Sequence, residues 1–223
     1  MKTALVITGE PRAPKPAFKT IKNHILDVVD CDVFMVIPKV DGLSEALDCI
    51  DEYGFDCRGI LIHADKTLEC DLPVVESMRN HKSESEWVWR KGKSYLQRYL
   101  RQIYDIYLGF SMAFEYGEYD RLIRCRSDAK VVKPIDDLSK IEDDKLYAQE
   151  IIQKPGGRVH VDDLFAFGGS VPMAAYGNRW ATLSKLSAFR PETPEEELSL
   201  TMKAFDIEVC LCSCIVERYG RPE

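Results

Sequence analysis

Hydrophobic and polar positions alternate along this chain in two different rhythms, and the rhythms take turns. "TALVIT" (Thr3 to Thr8) is a short apolar run with β-branched residues, which predicts a buried strand. Phe18, Ile21, Ile25, Leu26 and Val29 then recur at helical spacing after a proline-rich entry. "DVFMVI" (Asp32 to Ile37) predicts a second strand, and "SEALDCIDEYG" a short helix closed by Gly54. "RGILIH" (Arg58 to His63) predicts a third strand. A βαβαβ order of this kind favours a parallel sheet covered on both faces.

From Pro73 to Lys93 the periodicity stops, which predicts a surface loop; Trp87 and Trp89 within it are expected to dock on the core. The longest helix is expected from about Ser94 to Tyr116, with Leu96, Leu100, Ile103, Tyr107, Phe110 and Phe114 as its apolar stripe. "YDRLIRCRSDAKVV" follows as a strand, then "LYAQEII", the turn "KPGG" and the strand "VHVDDLFAFGG". Two helical pieces run to about Phe205, and "IEVCLCSCIVERY" predicts one last strand. Chain length and the absence of a repeat fit one domain over residues 1–223.

Composition narrows the function. The formal net charge is -7, and Lys and Arg form no basic stripe, so nucleic acid is not an expected partner. No apolar stretch reaches membrane-spanning length, and "MKTALVITGE" reads as a first strand rather than a signal peptide. Eight cysteines without a secretory signal suggest reduced thiols in a cytoplasmic setting. Cys210, Cys212 and Cys214 have strand period two, which predicts buried thiols on one face rather than metal ligands.

Candidate chemistry collects at strand ends. In open α/β sheets ligands bind beyond the carboxyl ends of the strands. The first strand ends in "TGEPR": Thr8, Gly9, Glu10 and Arg12, where Gly9 permits a tight turn and Arg12 can fork a phosphate. The "LIRCRSD" strand ends in Arg124, Arg126 and Asp128, which alternation puts on one face. Unpaired charges are costly to bury. Two readings therefore compete: a structural ion-pair cluster, or guanidinium groups facing a diphosphate, with Asp128 taking a divalent cation. Asp163, as first choice, and Asp162 are candidates for a general base. The acids of "TPEEEL" (Glu195, Glu196, Glu197) are accounted for by helix capping after Thr193 and Pro194. His160 lies near the acidic pair in sequence.

The order "ITGEPR", "DVF", "YDRLIRCRSD", "DDLFAFGG", "MAAYGNRW", "PEEEL" resembles small glycosyltransferases of the GT-A fold, found in bacterial polysaccharide synthesis (the WavE-like lipopolysaccharide proteins among them) and in large viruses. The resemblance covers nearly the whole chain, although each motif is short. It implies a single-domain α/β, Rossmann-like sheet, mostly parallel, with helices on both faces. It also implies a nucleotide-diphosphate sugar donor, a glycan or other hydroxyl acceptor, and Mn²⁺ or Mg²⁺. By this resemblance Gly9 and Arg12 hold the nucleotide, Asp128 stands at the metal-binding D-x-D position, and Asp162 or Asp163 serves the acceptor. The sequence departs from the pattern in having "RSD" where D-x-D is expected, so a metal could bind more weakly than usual or the arginines could replace it. "VITGEPRAPKPAFKTI" is also similar to the opening of sugar-phosphate nucleotidyltransferases, with Pro11 in place of a glycine. A non-catalytic nucleotide-sugar-binding module is the third alternative.

Overall fold

The structure is a computed structural model that describes residues 1–64, 93–153, 157, 159–183 and 194–219. Strands are β1 (Thr3–Thr8), β2 (Asp32–Pro38), β3 (Cys57–His63), β4 (Arg121–Arg126), β5 (Ala129–Val131), β6 (Lys145–Ala148), β7 (Ile151–Gln153), β8 (Val159–Val161), β9 (Phe165–Gly169), β10 (Glu208–Leu211) and β11 (Val216–Arg218). Helices are α1 (Pro14–Ile21), α2 (Leu43–Glu52), α3 (Lys93–Tyr116), α4 (Ser170–Gly177), α5 (Arg179–Thr182) and α6 (Pro194–Ala204).

Seven strands form the main sheet in the order β10-β6-β9-β4-β1-β2-β3. β1 pairs parallel with both β2 and β4, β2 with β3, and β10 with β6. β9 runs antiparallel to both of its neighbours. Alternation along β1 feeds two cores: Leu5 and Ile7 pack with Phe18, Ile21 and Ile50 on the α1–α2 face, while Ala4 and Val6 pack with Ile106, Phe110 and Tyr176 on the α3–α4 face. The central strand is buried on both sides, which is why its sequence is a continuous apolar run. The expected α/β, GT-A-like sheet with helices on both faces is what the chain forms.

Several boundaries differ from the sequence expectation. α1 ends at Ile21 and widens into a π-helical turn at Lys22–Leu26. In α3 the fully buried positions are Leu100, Ile103, Ile106 and Ala113, whereas Phe114 is 39% exposed, because the stripe follows the straight helix rather than the largest side chains. "LYAQEII" divides into β6 in the main sheet and β7 in a hairpin with β8. The last predicted strand also divides. Ser213 is drawn out to Asp136 by its backbone N–H and its hydroxyl, so β10 stops at Leu211 and β11 turns back to pair with β5. The three cysteines therefore do not share one face: Cys214 is buried, and Cys210 lies beside Glu208. The seven described cysteines are all free thiols. The loop with Trp87 and Trp89 falls outside the described residues. Among the described residues, no helix is long and apolar enough to cross a membrane.

Candidate active site

The carboxyl ends of β1 and β4 are tied together. Ser127 donates its backbone N–H to the Thr8 carbonyl at 3.0 Å and its hydroxyl to the Gly9 carbonyl at 2.7 Å. Gly9 turns here with φ +110°, a conformation L side chains rarely adopt. At Gly42, φ is +87° and a Cβ would stand 2.4 Å from the Pro11 carbonyl oxygen, so the start of α2 backs directly onto the loop that carries Arg12.

Asp128 is the centre of this edge. It is 1% exposed and lies in the turn just past β4, so it does not continue the strand face that carries Arg124 and Arg126. Arg126 grips it through Nε to Oδ1 at 2.7 Å and Nη2 to Oδ2 at 3.0 Å. Arg218, delivered by the β11–β5 pairing, donates Nε to Oδ2 at 3.0 Å. Arg12 approaches the same oxygen at 3.6 Å while forking Glu10. Burial would raise the Asp128 pKa, but hydrogen bonds and charge from Arg126, then Arg218, hold it below the ordinary carboxylate value. Arg218 is lowered by burial and by the like charge of Arg126. Among the described residues, Arg12, Arg126 and Arg218 make direct ion pairs with two carboxylates, Asp128 and Glu10, while the Asp163 charge also acts on Arg126.

Arg126 also reaches inward. Its Nη1 donates to Gln102 Oε1 at 2.7 Å, and Gln102 donates in turn to the Asp163 carboxylate. Asp163 is thereby linked to Asp128 through two side chains. Its carbonyl accepts from Arg124, which is fully buried, and from the Tyr176 hydroxyl at 3.5 Å. Among the described residues, Arg124 Nε and Nη2 have no hydrogen-bond partner, nor does Thr8 Oγ1. Beside them Asp162 accepts from the Leu164 N–H at 3.2 Å through Oδ1, while its buried Oδ2 has no partner among the described residues. Burial first, and then the Asp163 charge, push the Asp162 pKa up to about 6. His160 sits in the β7–β8 hairpin opposite Ile152.

A second buried cluster lies behind. Glu197 and Arg179 are both fully buried and pair at 3.2 Å, Tyr99 donates to Glu197 at 2.8 Å, and Thr201 does the same at 2.8 Å. Helix capping therefore does not account for Glu197, which points into the core, where a buried guanidinium and two hydroxyls offset its desolvation. At the end of β3, His63 Nε2 stands 2.8 Å from Asp105 Oδ1.

No protein-family model matches the sequence, and no curated protein does either. Solved structures do. Core-mannan synthase A of Aspergillus fumigatus, in its Mn/GDP form, superposes with a TM-score of 0.63 at 9% identity, covering 98% of this chain and 75% of that one. The mannosyltransferase Ktr4p of S. cerevisiae, in complex with GDP, gives 0.58 at 8% identity, over 93% and 68%. The glycosyltransferase GlyE of Streptococcus pneumoniae gives 0.48 at 13% identity; the match covers 96% of this chain, which spans only 45% of that protein. The fold is that of glycosyltransferases.

On that fold a divalent cation at Asp128 can be tested against the donors present. Oδ2 already accepts two guanidinium N–H groups and has a third guanidinium nearby, and Oδ1 accepts another. At about 4 Å in an effective dielectric of ~20, each like charge costs an entering cation about 4 kcal/mol per unit charge. Among the described residues no group of three His, Cys, Asp or Glu side chains is disposed to hold a metal. The donor set as arranged among the described residues does not fit a cation.

Two contributors to this edge escaped the sequence reading. Arg218 carried one clue, a charge in the apolar run "CIVERY", the same kind of clue that singled out Arg126. Gln102 carried none, since one polar residue on a long helix is ordinary.

Proposed function

We propose that the protein transfers a sugar from a nucleotide-diphosphate sugar to a hydroxyl of a glycan or other acceptor. One observation carries this reading: the convergence of Arg12, Arg126 and Arg218 on Asp128 at the carboxyl ends of β1 and β4, on a fold shared with glycosyltransferases. In the reaction the bond from the anomeric carbon to the diphosphate oxygen breaks, and its electron pair leaves with the nucleoside diphosphate. A bond from the acceptor oxygen to the anomeric carbon forms, and the acceptor proton passes to a carboxylate. Guanidinium groups fixed where the leaving charge develops stabilise the transition state without reorganising.

Thr8, Gly9, Glu10 and Arg12 form the nucleotide side in this reading, and Asp162 and Asp163 the acceptor side. With a pKa near 6 and one oxygen without a partner among the described residues, Asp162 is poised to accept a proton at neutral pH, while Asp163 is held by Gln102 and orients the arginine network. Bacterial or viral polysaccharide assembly is the setting the motif resemblance suggests.

The test is release of nucleoside diphosphate from a panel of UDP-, GDP-, ADP-, CDP- and dTDP-sugars with simple glycoside acceptors. Turnover of one donor supports the proposal. Consumption of a nucleoside triphosphate with pyrophosphate release would instead identify a nucleotidyltransferase. Donor binding without turnover would leave a binding module.

A further inference from the structure

We infer that the donor diphosphate is neutralised by a guanidinium cradle, Arg12 and Arg218 braced by the Arg126–Asp128 pair, and needs no divalent cation. The inference rests on the nucleotide-sugar reading and specifies how that site handles charge.

The geometry makes Asp128 a positioning residue. Its two oxygens are spent on guanidinium groups: Arg126 takes both, and Arg218 shares Oδ2. Arg126, 6% exposed, is locked between Asp128 and Gln102 and cannot swing to a ligand without breaking both contacts. Arg218 differs. It meets Asp128 through Nε alone, and its Nη1 and Nη2 have no partner among the described residues. Its side chain is 23% exposed and that of Arg12 29% exposed, so both reach solvent at the edge where Asp128 does not. A carboxylate buried beneath partly exposed guanidiniums orients them outward. That is the arrangement for a bidentate phosphate ligand. The position where a D-x-D motif would place its first carboxylate is occupied by Arg126 itself, so the chain puts a positive charge where a cation would need a negative one.

Calorimetric titration of the protein with ADP, CDP, GDP, UDP and dTDP, in excess EDTA and separately in excess MnCl2, tests this. One diphosphate is expected to bind with Kd values within about threefold in the two media, a difference under 1 kcal/mol. Arg218→Ala, a change at the partly exposed rim, is expected to raise Kd by about ten- to a hundredfold in both media. Asp128→Asn is expected to weaken binding equally in both, as loss of an orienting group does. Binding seen only with MnCl2, or an Asp128→Asn defect confined to MnCl2, overturns the cradle while leaving the donor reading intact. Absence of binding by every diphosphate in both media overturns both.

Discussion

Arg126 and Asp128, two residues apart, close the end of β4 on themselves: one guanidinium fork, at 2.7 and 3.0 Å, joins the last residue of the strand to the turn beyond it. The pair is almost fully buried, so it is expensive to break one-sidedly. Arg126→Met leaves Asp128 with Arg218 and the more distant Arg12. It is expected to cost about 3 kcal/mol, read as a lower denaturant midpoint at neutral pH. Because the folded pKa of Asp128 is depressed, its stabilisation is complete above the ordinary carboxylate value and disappears as pH falls through the folded one. The variant should therefore show a smaller acid-dependent loss than the wild type.

Asp162 has the opposite sign. Its folded pKa is raised to about 6, so ionising it costs folding energy that is absent below about pH 4 and complete above about pH 6. Asp162→Asn keeps an acceptor for Leu164 and removes the charge. At pH 7 it should stabilise the fold by roughly 2–3 kcal/mol, raising Tm by roughly 5 °C, with no gain near pH 4. If Asp162 is the base, the same variant loses most turnover. A Tm unchanged at pH 7 would contradict the burial argument.

Glu197 anchors a core cluster and not the donor edge. Glu197→Ala strands the buried Arg179 and is expected to cost about 3–5 kcal/mol, or roughly 10 °C in Tm. Glu197→Gln retains acceptors for Tyr99 and Thr201 and should cost less. Scanning calorimetry of the two variants separates charge from hydrogen bonding.

Gly42 touches no candidate ligand, yet its substitution should reach the site. In Gly42→Ala the new methyl meets the Pro11 carbonyl in a backbone conformation costly by about 1–2 kcal/mol. The Arg12 loop must shift, so nucleoside diphosphate affinity should fall along with stability. Binding unchanged from wild type would separate that loop from the donor site.

What the sequence determined by itself was local. The apolar runs of β1, β2 and β4 and the periodicity of α3 were legible because burial on two faces, or along one stripe, writes itself into consecutive residues. Gly9 and the charges at Arg124, Arg126 and Asp128 were legible as departures from those patterns at strand ends. Only the tertiary structure decided what the charges meet. Arg218 reaches Asp128 across a separation of 90 residues, by way of a strand that Ser213 breaks off from β10. Glu197 looked like a helix cap because capping is local, and it proved to be a core ion because Arg179 and Tyr99 come from other helices. A charge announces itself in sequence by its cost; its partner is chosen by the packing of distant elements, which no short-range pattern records.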